Sequence, residues 1–256
     1  MGTQTGRTAL VTGASRGIGR AIAERLAADG ATVAVHYGHS ESAARETVAG
    51  IERAGGHAFA VGAELGVPGD IDTLFAGLES GLAGRPLDIL VNNAAAAPAG
   101  PIETDTPERF DQLFQVNVKA PYFVIQRALP LLRDGGRVIT LSSVVTRAGN
   151  PGQTSFAMGK AALEAMTLSL ACALGGRRIT VNAVAPGITR TDANTAFFEA
   201  LGRELEDHLV GLTALGRLGR AEDVADTVAF LASDDGRWIT GQVLDASGGL
   251  HLGARV

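Results

Sequence analysis

An apolar run, Thr8–Thr12, passes directly into Gly13-Ala14-Ser15-Arg16-Gly17-Ile18-Gly19, and an amphipathic stretch, Gly17–Asp29, begins inside that turn. Glycines spaced in this way between a strand and a helix restrict the fold sharply. Gly13 permits a tight turn off the strand, Gly17 lets the backbone approach a ligand, and Gly19 lets the helix pack close to the sheet. The helix N-terminus then presents free N–H groups and the positive end of its dipole, which suits a pyrophosphate. A glycine-rich turn alone also serves as a tight structural turn. The strand before it and the helix after it favour nucleotide binding.

The same alternation continues along the chain. Ala31–His36, Ala58–Val61, Ile89–Asn92, Val138–Ser142, Thr180–Val184 and Val243–Asp245 read as short strands. Between them, Glu41–Ala54, Ile71–Leu82, Pro107–Leu132, Ser155–Leu174 and Ala221–Ala232 have helical periodicity. Strand–helix alternation implies βαβ units, hence an α/β fold with a doubly wound parallel sheet of about seven strands and helices on both faces. No linker divides the chain, so residues 1–256 read as one domain. The stretch 188–219 breaks the rhythm and is a candidate substrate lid. Phe197, Phe198, Leu201, Leu205, Leu209 and Leu212 lie there at helical spacing. They suit ordinary packing of a small helix pair or a lid over an apolar substrate, and the two readings are compatible.

Composition excludes several classes. A net charge of −5 without a basic block argues against nucleic-acid binding. The single cysteine, Cys172, cannot form an intrachain disulfide, which fits a reducing compartment. Met1–Arg7 has no signal-peptide core, and Gly6 breaks the myristoylation pattern. No apolar run approaches the ~20 residues of a membrane span. The expectation is a soluble cytoplasmic protein with no membrane partner. His36, His39, His57, His208 and His251 show no ligand spacing, so no metal site is expected.

The TGxxxGxG pattern at Thr12–Gly19 resembles that of the short-chain dehydrogenase/reductase family, classical type, and other motifs agree in order. Asn92-Asn93-Ala94-Ala95 is similar to the family's NNAG, with Ala95 in place of the glycine. Asn117-Val118-Lys119 resembles its mid-helix asparagine, Pro186-Gly187 follows the sixth strand, and Gly241-Gln242 with Asp245 resembles its last strand. Ser142-Ser143 and Ser155-Phe156-Ala157-Met158-Gly159-Lys160 match the outer features of its active site. The resemblance covers essentially the whole chain and is nearest in general look to bacterial ketoacyl and polyketide ketoreductases. It implies a single-domain Rossmann fold, carbonyl reduction or alcohol oxidation of a small-molecule substrate, and a homotetramer or dimer. The tetramer would be built on Pro107–Leu132 and Ser155–Leu174, with the C-terminal strands also in contact.

One residue departs from that pattern. The family has tyrosine where this chain has Phe156, and the tyrosine hydroxyl passes a proton to or from the substrate oxygen. The resemblance implies that Lys160 contacts the nicotinamide ribose and lowers the phenol pKa, that Ser143 bonds the substrate oxygen, and that Asn117 holds a water in a proton relay. Asn117, Ser143 and Lys160 are present, and the central donor is absent. The two tyrosines, Tyr37 and Tyr122, do not replace it: Tyr37 is expected at the cofactor's adenosine end and Tyr122 in packing.

NAD-preferring folds place an acid at the end of the second strand, for the ribose 2′-OH. Here that strand ends His36-Tyr37-Gly38-His39-Ser40, with no acid before Glu41. The resemblance places Arg16 on the 2′-phosphate of NADP, and a guanidinium suits that dianion. NADP(H) is therefore expected. The expected cofactor contacts are Gly13, Ser15, Arg16, Gly17, Ile18, Gly19, Tyr37, Glu64, Leu65, Asn93, Ala94, Lys160, Pro186, Gly187, Ile188 and Thr191. Glu64-Leu65 resembles the family's adenine-facing pair, and Ile188 and Thr191 belong to the segment that contacts the nicotinamide carboxamide and phosphates. With Phe156, three functions stay open: a reductase with an impaired or altered proton path, a non-redox enzyme such as a dehydratase, isomerase or cyclase, and a silent dinucleotide-binding subunit.

Overall fold

Buried residues along the first strand, β1 (Thr8–Val11), point alternately to two different cores. Ala9 and Val11 join one apolar cluster and Leu10 joins the other. Such a strand is stable only when helices cover both faces of its sheet. A computed structural model describes residues 4–98, 100–195, 198–199, 202–250 and 252. Within them the chain runs β1, α1 (Gly17–Ala28), β2 (Thr32–Tyr37), α2 (Glu41–Arg53), β3 (His57–Gly62), α3 (Asp70–Leu82) and β4 (Leu87–Asn92). It continues through α4 (Pro107–Phe114), α5 (Ala120–Ala128), β5 (Leu132–Leu141), α6 (Thr154–Leu174) and β6 (Thr180–Pro186). It closes with β7 (Thr189–Arg190), α7 (Arg203–Gly211), β8 (Gly219–Arg220), α8 (Ala221–Ala232) and β9 (Val243–Ala246).

Seven strands form one parallel sheet in the order β3-β2-β1-β4-β5-β6-β9. Helices α1, α2 and α8 cover one face through Ile22, Leu26, Ile51 and Val228. Helices α3, α5 and α6 cover the other through Phe75, Leu78, Ile125 and Leu174. The order reverses between β1 and β4. In such sheets the crevice beyond the carboxyl ends of those two strands is where ligands bind.

Three elements differ from the sequence expectation. Pro107–Leu132 is not one helix. It passes through a π-turn at Gln115–Lys119, ends at Ala128, and gives Leu132 to β5. Pro130 explains the early end, because it has no N–H to bond the carbonyl one turn back and so cannot continue the helix. Segment 188–219 is pinned at both ends by a small parallel ladder, β7 with β8. Its helix α7 buries none of its residues, so Leu205 and Leu209 are not core. Phe198 is buried beneath the Arg190 guanidinium, and Arg190 also pairs with Glu206 at 2.6 Å. Phe197 and Leu201 lie outside the described residues, as does His251.

The third difference concerns α6. The stretch Pro151–Arg177, with mean hydropathy 1.3, is long and apolar enough by composition to match a membrane span. In the fold one side of it packs along β6 and buries Lys160, Leu163 and Leu174, while Met158 and Leu168 on other sides are exposed.

Candidate active site

The turn after β1 and the turn after β4 are tied together at the strand-order reversal. The Asn93 side-chain amide donates to the carbonyls of Thr12 (2.8 Å) and Gly13 (3.0 Å). The Thr12 hydroxyl oxygen accepts from the backbone N–H groups of Asn93 (2.9 Å) and Ala94 (3.1 Å). Gly13 has φ +64°, a left-handed conformation that favours glycine. A Cβ on Gly19 would lie 2.2 Å from the Gly13 carbonyl oxygen and 2.5 Å from Asn93 Nδ2, so only hydrogen fits there.

These turns wall a cleft of about 590 Å³. Of the expected cofactor contacts, Gly13, Ser15, Arg16, Gly17, Ile18, Gly19, Glu64, Leu65, Asn93, Ala94 and Thr191 line it. His36, Gly38, His39, Ser40, Ala95 and Ala96 line it as well. Tyr37 does not. Alternation along β2 sends His36 toward the glycine turn and turns Tyr37 to the other face, where its ring lies against Gly62. The Glu64 carboxylate lies 3.7 Å from the His39 ring.

Pro186, Gly187, Ile188 and Lys160, also expected at the cofactor, are not among the residues that line this cleft; Pro186 closes β6 and is buried, while Gly187 and Ile188 are half-buried. A Cβ on Gly187 would meet Ser247 at 2.8 Å. Thr191 begins a short turn in which its N–H donates to the Asn194 side chain at 2.8 Å. The next residue, Asp192, accepts from the Gly17 N–H at 2.7 Å and pairs with Arg20 at 3.1 Å. A carboxylate therefore sits at the N-terminus of α1, where the helix dipole favours an anion.

The four residues expected at the reaction centre come from three elements. Asn117 sits in the π-turn and is buried. Its Oδ1 accepts from the Ala96 N–H (2.7 Å) and its Nδ2 donates to the Ala96 carbonyl (3.2 Å), which fastens the loop after β4 to the helix pair. π-Turns of this kind recur at functional sites, because the extra residue re-aims a side chain. Ser143 follows β5, and its Oγ accepts from the Val145 N–H at 3.3 Å. Phe156 and Lys160 share a face of α6, as i,i+4 spacing requires, and the ammonium lies 5.4 Å from the ring centroid.

Lys160 is buried and donates to the Leu141 carbonyl at 2.7 Å. Burial pushes its pKa down to about 8. One helical turn further along α6, Glu164 accepts from both Ser142 (2.6 Å) and Thr146 (2.9 Å). Ser142 is thereby committed to structure, and Ser143 is the hydroxyl of the pair that is not tied to Glu164. Ser155 turns away and donates to Asp105 at 2.8 Å.

Similarity to known proteins agrees with this geometry. The sequence model of the family described as "Enoyl-(Acyl carrier protein) reductase" matches residues 13–251. The crystal structure of the angucycline C-6 ketoreductase LanV with bound NADP is 54% identical, superposes with a TM-score of 0.93 and covers 98% of both chains. The reductase LugOII, which catalyses keto-reduction at C1 during lugdunomycin biosynthesis, is 52% identical with a TM-score of 0.93, over 97% of this chain and 99% of that one. The 3-oxoacyl-[acyl-carrier-protein] reductase FabG of Staphylococcus aureus is 39% identical over 96% of this chain and 98% of its own length.

The chain is a short-chain dehydrogenase/reductase.

As a member of that family it has a cradle that fits a dinucleotide. In the Gly13–Gly19 turn neither Gly13 nor Gly19 has room for a Cβ, and β2 ends without a carboxylate before Glu41. His36 and Glu164 were not among the expected site residues of this short-chain dehydrogenase/reductase, and Asp192 was expected only as part of the Thr189–Asp192 segment. Glu164 was accessible in principle, since i+4 and i+8 spacing places it on the face of Lys160 and Phe156. The histidine spacing points to no metal, and His36 instead faces the glycine turn. Tyr122 packs, as expected, but at the surface. It is half-exposed, packing edge-on against Phe123 (5.2 Å between centroids) in a surface groove.

Proposed function

We propose that this protein is an NADP(H)-dependent ketoreductase-type enzyme for apolar, polyketide-like ketones, whose proton path is altered by Phe156. The observation that carries this reading is a cleft walled by the glycine turn and tied through Ala96 to the buried Asn117, together with a phenyl ring, Phe156, held against the buried Lys160 where a phenol is expected. Support for the substrate class comes from LanV, also crystallised with NADP and rabelomycin and 53% identical. Support for NADP(H) comes from Arg16 and from the lack of an acid at the end of β2.

The nicotinamide supplies hydride chemistry when bound. The chain's own residues place the partners. The glycine turn and α1 N-terminus receive the phosphates, Arg16 the 2′-phosphate, and Lys160 and Thr191 the nicotinamide end. Ser143 holds the substrate oxygen. That oxygen takes up a proton as the carbonyl becomes an alcohol, and Phe156 has none to give. The remaining routes are the Ser143 hydroxyl and a water held by Lys160 and Asn117. Segment 188–219 acts as the lid, supported by a helix α7 that packs none of its leucines into the core.

The test incubates the chain with NADPH and a panel of polycyclic and β-keto ketones, following NADPH loss and product mass together. Products gaining two hydrogens, with matching NADPH loss, support the reductase. Phe156 favours one competitor, a non-redox enzyme on the same fold, which would give isomerised or dehydrated product without NADPH loss. For the cofactor, Arg16→Ala should weaken NADPH binding about ten- to a hundredfold, the worth of a charged hydrogen bond, and NADH much less. Equal loss of both overturns the assignment.

The family resemblance also implies a homotetramer. An apolar groove between α4–α5 and α6, lined by Phe114, Tyr122, Phe123, Met166 and Leu170, supports it. Trp238, near the C-terminal strand, is 95% exposed in the single chain and supports the second contact. A stable monomer in sedimentation at micromolar concentration would contradict this. Cytoplasmic residence is part of the same reading, supported by the lone free Cys172.

A further inference from the structure

His36 is the innermost histidine among the described residues, 2% exposed, and the reaction has no use for it. Its ring spans two walls of the dinucleotide cleft. Nδ1 lies 3.0 Å from the backbone nitrogen of Gly13, and Nε2 lies 2.8 Å from the carbonyl oxygen of Ala63. One protonation state satisfies both contacts: Nδ1 accepts from the Gly13 N–H, and Nε2–H donates to Ala63. The backbone repeats the link, since the Ala14 N–H donates to the His36 carbonyl at 2.8 Å and the Ala63 N–H to the Tyr37 carbonyl at 3.0 Å. Gly13 begins the phosphate turn. Ala63 immediately precedes Glu64 and Leu65, which line the opposite part of the cleft.

We propose that His36 is the positioning residue of the dinucleotide cleft: its neutral ring fixes the glycine turn against the Glu64–Leu65 wall, and so sets cofactor affinity. This rests on the dinucleotide reading of the cleft. A protonated ring would carry a hydrogen on Nδ1, facing the Gly13 N–H donor to donor. Burial, only partly offset by the Ala63 bond, pushes the ring's pKa down to about 4, so the clamp stays neutral at ordinary pH. The stability it contributes is full above the unfolded value, near 6.5, and is lost as pH falls through about 4. The charged or titratable groups lining the same cleft are Arg16 on the turn, His39 after β2 and Glu64 after β3. All three are solvent-accessible, and His39 and Glu64 face one another.

The experiment compares native chain with His36→Asn and His36→Phe. Asn keeps an acceptor for Gly13 but is too short to reach Ala63, and Phe keeps the ring volume without polar atoms. NADPH affinity is titrated by fluorescence from about pH 3.5 to pH 8, a range that spans the His36 titration, with amide hydrogen exchange at Gly13 and Ala14 measured on the cofactor-free protein. Loss of a buried acceptor is worth ~1–3 kcal/mol, so His36→Phe should weaken NADPH by about five- to a hundredfold and speed Gly13 exchange. His36→Asn should retain most of the affinity and the protection. In the native chain the affinity should fall at the acid end, and in His36→Asn that fall should be absent. A folded His36→Phe with native affinity and native exchange overturns the proposal, as does His36→Asn behaving like His36→Phe. If His36→Phe does not fold, the acid-end fall in the native chain and its absence in His36→Asn decide instead. Should the native chain bind neither NADPH nor NADH, the cofactor reading itself fails. Exchange at Gly13 then still reports whether the ring clamps the turn, separating the two failures.

Discussion

The dinucleotide cleft and the reaction centre lie at the same edge of one sheet, yet they are built on different terms. The cleft is made mainly of backbone: glycines without room for a Cβ, paired turns, and side-chain bonds such as Asn93 and His36 that end on main-chain atoms. The reaction centre is made of side chains from three separate elements, one of them a buried lysine stacked on a phenyl ring. A backbone cradle survives almost any change that keeps the fold. A side-chain constellation can lose its working atom while every neighbour stays in place. On the proposed reading the binding half keeps its glycine cradle and the chemical half lacks one hydroxyl, so binding and catalysis can be tested apart.

The sharpest test of that contrast restores the hydroxyl. Phe156→Tyr should raise ketone reduction by about 10²–10⁴ in turnover, the usual worth of a positioned general acid, with NADPH affinity nearly unchanged. The new phenol would lie beside the Lys160 ammonium, whose charge favours phenolate. No gain on a ketone that the protein demonstrably binds would move the non-redox reading ahead.

A second test concerns the cost held in the reaction centre. A lysine whose folded pKa is about 8, against an ordinary 10.5, is penalised in its charged form by about 3 kcal/mol. That penalty is full below pH 8 and fades as pH rises from 8 to 10.5, where the unfolded chain also loses its proton. Lys160→Met should therefore raise the melting temperature at neutral pH by a few degrees, after the Leu141 carbonyl loses its donor. The gain should shrink at alkaline pH. An equal or lower melting temperature at neutral pH would show that Lys160 carries no such cost.

The smallest expected effect lies in the cleft. Asp192 holds the Gly17 N–H at the α1 N-terminus, where a phosphate is expected to arrive. Asp192→Asn keeps the acceptor and removes the charge, and NADPH should bind about two- to fivefold tighter, in line with the worth of one charge at a helix end. Unchanged affinity would mean that Asp192 does not compete with the phosphates.

Much of the cleft was legible beforehand because its rules are local. Gly13, Gly17 and Gly19 sit at sequence-fixed spacing between a strand and a helix, and alternation of apolar runs implies the parallel sheet. Lys160 and Phe156 share a helical face by arithmetic. What was not legible depends on distant partners. Pro130 could have signalled the early end of α5, but the π-turn at Asn117 answers to a bond with Ala96, 21 residues away. Tyr37 is expected in the cleft by its position at the end of β2, yet alternation along the strand turns it away and faces His36 toward the glycine turn.

The fold class, the glycine turn and a phenylalanine one helical turn before Lys160 are readable in the amino-acid order, because each follows from residue type and near-neighbour spacing. Only the tertiary structure decided which polar groups are buried together: His36 between Gly13 and Ala63, Glu164 beneath Ser142, and Lys160 against the Leu141 carbonyl. The physical reason is that a buried polar atom must find its partner wherever packing brings one, and packing joins residues that the chain itself holds far apart.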